Sequence, residues 1–210
     1  MTTLQVQKIS REVPVILAGD PSETTRRSPF SRKEIEVYLQ GALHDASRNK
    51  RTRIRFVQKG TEWLDILKNL LQTLGHKSWM YREGKDRDVY ALETTAQFLD
   101  FNLDPILLGE RVEQIAYIRG FFDAEGGIPR NLQSKFYIQL VQKDPIKIAK
   151  LKAMLLALNI SSGLVHNPSV NVDPDYWRIF VSTKSHQQFV TTIGSWHPRK
   201  YTIMRERMMI

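Results

Sequence analysis

The chain has 210 residues, with 31 Lys and Arg against 22 Asp and Glu, and a formal charge of +9. Such a surplus favours a polyanionic partner, and the absence of cysteine excludes disulfides and thiolate zinc sites. No apolar run approaches the roughly 20 residues that span a bilayer, and no secretion-signal layout opens the chain, so no membrane partner and an intracellular, cytoplasmic or organellar, location are expected.

Residues 1–30 read as an N-terminal extension. Val13 to Ala18 could form a short strand, and Arg26, Arg27, Arg32 and Lys33 make the approach to the first helix basic, either an arm on nucleic acid or a poorly ordered terminus. Ser31 followed by Glu34 is a capping-box signature for a helix running to about Asp45. Arg51 to Phe56 alternates with period two and reads as a strand. Thr61 to Leu74 carries Trp63, Leu64, Ile66, Leu67, Leu70, Leu71 and Leu74 at helical spacing and stops at Gly75. Lys77 to Arg82 and Arg87 to Thr94 flank a hairpin turn, and Ala96 to Phe101 reads as a short helix.

The order then recurs. Glu113 to Glu125 reads as a helix, Lys135 to Val141 as an alternating strand, and Pro145 to Leu158 as an amphipathic helix. Strands near Ser162 to His166 and Tyr176 to Ser182 follow, then a helix near Ser185 to Ile193. Val57-Gln58-Lys59 returns as Val141-Gln142-Lys143, just before the amphipathic helix in both halves. Self-similarity of this kind indicates a duplicated unit of about 80 to 95 residues. The expected division is a first repeat over 31–103, a linker over 104–112 and a second repeat over 113–210.

The second repeat opens with Tyr117-Ile118-Arg119-Gly120-Phe121-Phe122-Asp123-Ala124-Glu125-Gly126. Gly120 and Ala124 share one helical face and would let another helix approach closely. Glu125 falls in the last turn, where the helix dipole disfavours a carboxylate by a few tenths to ~1 kcal/mol. A divalent cation would account for an acid there, since Mg²⁺ takes hard oxygen ligands and keeps waters and phosphate. A solvated acidic pair beside a glycine cap would leave the same letters.

This segment resembles the LAGLIDADG motif of homing endonucleases, and Gln142-Lys143 and His197-Pro198-Arg199-Lys200 extend the resemblance over about residues 34 to 205. The resemblance implies an α+β fold of two pseudo-symmetric αββαββα repeats, whose curved antiparallel sheets form a saddle on double-stranded DNA. It implies site-specific hydrolysis of phosphodiesters with Mg²⁺ or Mn²⁺. Glu125 would then be a metal ligand, with the Ala124 carbonyl beside it. Gln142 would position the water network, Lys200 would stabilise phosphate charge or tune that water, and His197 and Arg199 stand near enough to assist. A pseudo-symmetric monomer is expected, with a homodimer through the second repeat as the alternative.

The first repeat departs from the pattern. In Tyr38-Leu39-Gln40-Gly41-Ala42-Leu43-His44-Asp45-Ala46-Ser47, matching Gly41 to Gly120 sets Ala46 against Glu125, and a shift by one sets Ser47 there. Neither register supplies the acid; His44 or Asp45 could substitute only if the helix end is distorted. No lysine answers Lys200. Only 10 residues separate Ser47 from Gln58, against 15 between Gly126 and Gln142, so the first hairpin must be short or missing. These gaps leave binding intact and point to impaired or single-strand cleavage, and they favour the alternative of a non-cleaving nucleic-acid binder, an intron maturase or a nuclease-derived regulator.

For the DNA surface, Arg51, Arg53 and Arg55 alternate with Thr52, Ile54 and Phe56, and they correspond to Lys135, Tyr137 and Gln139 counted back from the Gln-Lys marker. Such a stripe can read base edges in the major groove. Arg48, Lys50, Lys59, Arg130 and Lys143 would hold phosphates. A solvated strand face is the competing reading. Arg82, Lys85 and Arg87 are weaker candidates, and Trp79, Trp177 and Trp196 read as core or interface residues.

Overall fold

The computed structural model describes residues 30–208; the expected strand at Val13 to Ala18 and the basic pair Arg26 and Arg27 lie outside them. Helix α1 (Arg32–Ala42) starts at the expected capping box: Ser31 Oγ accepts from the Glu34 amide at 3.1 Å, and Glu34 accepts from the Ser31 amide at 2.9 Å. The α-helix ends at Ala42, three residues short of the expected Asp45, and continues as a 3₁₀ turn over Leu43–Asp45.

Two strands follow at once. β1 (Ala46–Asn49) and β2 (Arg53–Lys59) form a tight hairpin whose turn holds Lys50 at φ 48°, so the first hairpin is short, not missing. Arg51 falls in that turn and not on the strand. Helix α2 (Glu62–Thr73) buries Trp63, Leu64, Leu67, Leu70 and Leu71 of the expected stripe; Leu74 is buried just past its end, and Ile66 is only partly covered. The chain then leaves through Gly75 at φ +83°, a left-handed conformation that glycine adopts without strain. β3 (Ser78–Arg82) and β4 (Val89–Thr94) complete an antiparallel sheet in the order β1-β2-β4-β3.

The short helix expected over Ala96 to Phe101 is absent. Gln40 of α1 donates to the Phe98 carbonyl at 2.9 Å and accepts from the Asp100 amide at 3.0 Å, and Thr94 Oγ1 takes the Ala96 amide. Backbone groups that a helix would pair internally are thereby satisfied from outside.

After a 3₁₀ turn at Pro105–Leu107, helix α3 (Arg111–Glu125) is buried without a break from Ala116 to Asp123. A helix covered on every side lies in the middle of a protein, and α3 packs along α1. β5 (Gly126–Gly127) pairs with β6 (Gln139–Gln142) for only two residues. Pro129 has no amide hydrogen to continue that ladder, so residues 128–138 stay irregular and the strand expected from Lys135 begins at Gln139. Helix α4 (Pro145–Ala157) is capped by Asp144, whose side chain accepts the Ile146 amide at 2.8 Å. β7 (Trp177–Phe180) closes the second sheet, β5-β6-β7. The strand expected near Ser162 to His166 is reduced to single bridges, Ser162 with Val181 and His166 with Arg178. Helix α5 (His186–Thr192) lies where expected, whereas α6 (Pro198–Met208) was not foreseen.

One core runs through both halves, from Tyr38, Leu39 and Phe56 to Phe121, Phe122 and Phe189. The fold is α+β, and none of its described helices is long and apolar enough to cross a membrane.

Candidate active site and nucleic-acid interface

The two central helices meet at their glycines. A Cβ added to Gly41 would stand 2.1 Å from the Tyr117 carbonyl oxygen, and one added to Gly120 would stand 2.0 Å from that of Tyr38. Since the obstacle is backbone on both sides, only glycine permits this approach. The reciprocity equates Gly41 with Gly120 and Tyr38 with Tyr117.

Strand pairing fixes a second equivalence. Ala46 pairs with Phe56 and Gly126 pairs with Leu140, and both partners stand two residues before the Gln-Lys marker. Ala46 therefore answers Gly126, and Asp45 answers Glu125. From glycine to strand the first half uses one residue fewer than the second. The 3₁₀ turn absorbs the difference: three residues rising about 2.0 Å each advance as far as four rising about 1.5 Å. The expectation that the first motif lacks an acid is corrected by this distorted helix end, which brings Asp45 to the position that neither sequence register could fill.

Electrostatics tie the two acids to one another. Burial pushes the Glu125 carboxyl up to about 7, Asp45 adds to that rise, and Lys200 and Lys143 oppose it. Burial raises Asp45 to about 6 against a hydrogen bond from Gln58 Nε2 and the charge of Lys200. Lys200 is 3% exposed. Burial brings its ammonium down to about 8; Asp123 opposes that fall, Arg199 deepens it, and Asp45 and Glu125 oppose it too. The Lys200 ammonium donates to the carbonyl of Phe122, which also accepts the Gly126 amide, and, at 2.9 Å, to that of Asp123, which the end of α3 leaves open.

The lysine is placed by Asp123, 1% exposed, which accepts from Tyr38 Oη at 2.8 Å, the Trp196 amide at 2.8 Å, the His197 amide at 3.1 Å and Ser195 Oγ. These bonds pin residues 195–197 to the end of α3, and Pro198 then starts α6 with Lys200 in its first turn. His197 packs over Trp63 and Arg199 lies near Arg130 and Tyr137; no hydrogen bond among the described residues links either to Glu125.

In the first half His44 takes the place of Asp123. Gln142 Nε2 lies 3.0 Å from His44 Nδ1, and Tyr117 Oη lies 2.7 Å from His44 Nε2. An amide nitrogen only donates, so Nδ1 accepts and Nε2 carries the proton. Burial and Lys147 depress this imidazole to about 4 against Asp144. With its Oε1 accepting the Lys143 amide at 2.7 Å, Gln142 is bonded away from Glu125, whereas Gln58 meets Asp45. Of the three expected catalytic side chains, Glu125 and Lys200 come together and Gln142 faces His44.

The outer face of the first sheet follows from its register. Asn49, Arg53, Arg55, Trp79, Tyr81 and Glu93 share it. Glu93 is only 2% exposed. It accepts from Asn49 Nδ2 at 2.5 Å, Tyr81 Oη at 2.8 Å and Arg53 Nη1 at 3.2 Å. Burial alone would raise this carboxyl, but the three bonds hold it below the usual range. Arg55 pairs with Glu83 at 2.6 Å. Arg48 points to the opposite face, over the Phe101 ring, and so is not part of this surface. Lys50, Lys59, Arg130 and Lys143 are exposed as expected.

On the second sheet Gln139 lies on the outer face, while Lys135 and Tyr137 precede the strand and are exposed. Arg178 and Phe180, which the sequence reading passed over, complete this surface: Arg178 stacks 5.0 Å from the Phe180 ring, and Tyr137 meets that ring edge-on. Of the tryptophans expected in the core or at an interface, Trp196 is buried and Trp79 is 36% exposed on the outer face of the first sheet. The signal for Trp79, Tyr81 and Glu93 was the strand alternation itself.

Residues 113–194 match the LAGLIDADG-like domain family. No curated protein matches the chain in sequence. Among solved structures, variants of the homing endonuclease I-DmoI match with a TM-score of 0.64 at 20% identity, covering 84% of this chain and 100% of that one. I-DmoI in complex with DNA and Mn matches with a TM-score of 0.60 at 20% identity, covering 78% and 98%. The N-terminal LAGLIDADG domain of DUF199/WhiA matches with a TM-score of 0.63 at 17% identity, covering 80% and 87%. Residues 113–194 are thus similar to the LAGLIDADG-like domain family, and the chain as a whole carries the fold of the LAGLIDADG homing endonucleases.

Proposed function

We propose that the protein is a divalent-metal-dependent endonuclease acting on double-stranded DNA, built from two repeats, 31–103 and 113–210, in a monomer. The observation that carries this reading is the joining of Asp45, Glu125 and Lys200 at the ends of two abutting helices, between two sheets with arginine and aromatic side chains on their outer faces.

The donor chemistry fits a cation. Two carboxylates are hard-oxygen ligands; burial raises Glu125 and repulsion from Asp45 adds to that rise, and a dication would relieve the repulsion. Among the described residues no third acid or histidine joins them, so water and phosphate would supply the remaining ligands. Bound there, the metal would supply Lewis acidity for phosphodiester hydrolysis. Asp45 and Glu125 would hold it, Gln58 orients Asp45, and the Lys200 ammonium would offset charge developing on phosphate. The I-DmoI structures hold DNA with Mn or with Mg, in keeping with this reading.

Each strand would be cut beside one of the two helix-end acids, Asp45 or Glu125, and these two centres are not alike. Counted from the proline that opens each terminal turn, Leu107 stands where Lys200 stands, and it is 80% exposed. That gap, with Gln142 engaged by His44, favours as second reading a binder that does not cut. Incubation of a randomised duplex library with Mg²⁺ separates the two. Product from the wild type that is lost in both Glu125→Gln and Asp45→Asn supports the enzyme. Duplex retained with no product from any of the three establishes the binder. Elution from gel filtration at the volume of a single chain supports the monomer.

A further inference from the structure

Of the three arginines expected on the base-reading stripe, Arg51, Arg53 and Arg55, only Arg53 is both anchored and open. Its Nη1 is held 3.2 Å from Glu93, and its guanidinium lies 5.1 Å from the Trp79 ring centroid, yet its side chain is 39% exposed. Its Nε and Nη2 have no hydrogen-bond partner among the described residues. Arg55 differs: Glu83 takes its Nη2, Tyr81 lies 3.4 Å from its Nε, and its side chain is 21% exposed. Arg51 sits in a turn, without a buttress.

The anchor is itself fixed. Glu93 Oε1 accepts from Asn49 and Tyr81, Oε2 accepts from Arg53, and the carboxylate is almost wholly covered. It is therefore occupied as an acceptor. Its negative charge also makes the position poor for a phosphate, because it cancels the attraction that an isolated arginine would offer. What remains is a planar donor fork, locked by an ion pair on one edge and a ring on one face, and complementary to two adjacent acceptors in one plane. In a duplex that pair is O6 and N7 of guanine in the major groove.

We propose that Arg53 reads one guanine of the DNA target, with Glu93 and Trp79 as positioning residues that hold its guanidinium in the reading pose. This rests on the reading of the sheet faces as a DNA surface.

The test uses the full chain in EDTA, so that binding is measured without cleavage. A duplex is selected from a randomised library, and affinity is measured for every single base-pair substitution of it. The wild type is expected to prefer guanine at one pair by about 5- to 150-fold, the range of a single bidentate contact. Arg53→Ala abolishes the preference at that pair. Glu93→Gln and Trp79→Ala reduce it several-fold at the same pair and leave the others, and Glu93→Gln, having lost a negative charge, binds an unrelated duplex more tightly. Variants that weaken all duplexes equally, or a guanine preference intact in both Glu93→Gln and Trp79→Ala, would overturn the assignment while leaving DNA binding in place. Failure of the wild type to retain any duplex would overturn both.

Discussion

Neutralising one acid of the pair is expected to stabilise the metal-free protein. Glu125 is lifted from an ordinary 4.5 to about 7. At 1.36 kcal/mol per pH unit the rise corresponds to about 3 kcal/mol of strain on the charged form. The carboxyl keeps some contact with solvent, which screens this to about 1–2 kcal/mol. The sign follows from proton counting. An unfolded chain releases this proton near pH 4.5 and the folded one near 7, so between those values the folded state holds more protons and loses stability as pH rises. The penalty is complete above about pH 7 and gone below about pH 4. Thermal melts in EDTA at pH 7.5 should place Glu125→Gln about 2–8 °C above the wild type, and the gap should close toward pH 4. Asp45→Asn should also stabilise, because burial raises that carboxyl as well, and the two gains should add except for the smaller share that comes from the repulsion between the two acids. Mg²⁺ should raise the melting point of the wild type and not of Glu125→Gln. A Glu125→Gln protein less stable than wild type at pH 7.5, or equally shifted at every pH, would refute the reasoning.

Three further outcomes can be measured. Gly120→Ala sets a methyl 2.0 Å from the Tyr38 carbonyl oxygen and should cost about 3 kcal/mol in urea unfolding, the upper end for overpacking; a loss under 1 kcal/mol would show that the helices part easily. Asp123→Ala leaves the Tyr38, Ser195, Trp196 and His197 donors buried without their acceptor and should cost about 3–5 kcal/mol by the same assay. Lys200→Met should slow cleavage of one strand by about 10²-fold or more. On a duplex labelled on each strand, equal slowing of both would contradict the assignment of this lysine to one centre.

Much of the architecture was legible because it rests on periodicity. The α2 stripe and the Val-Gln-Lys marker depend on apolar spacing alone, and both halves kept it. The acid of the first motif was hidden because alignment by residue number assumes a constant rise per residue, and the 3₁₀ turn over Leu43–Asp45 breaks that assumption. Lys135 and Tyr137 were placed on a strand by alternation, a signal that cannot register the partner removed at Pro129. The helix expected at Ala96 to Phe101 had adequate local propensity and lost to a side chain 58 residues away, Gln40. For α6 the cue was present: Pro198 at a first helical position, then Tyr201 and Met204 at helical spacing. Glu93 was passed over because only the strand register, which sets it opposite Arg55, brings it to the arginine face.

The two outer faces share a plan but not a vocabulary. One sheet offers Arg53 braced by Glu93 and Trp79; the other offers Arg178 layered on Phe180, with Tyr137 at its margin. A duplex laid across both and then turned end for end would meet a different set of side chains at every step. The preferred sequence is accordingly expected to be no palindrome, and the protein to sit on it in one orientation, so that each strand always faces the same one of the two unequal centres.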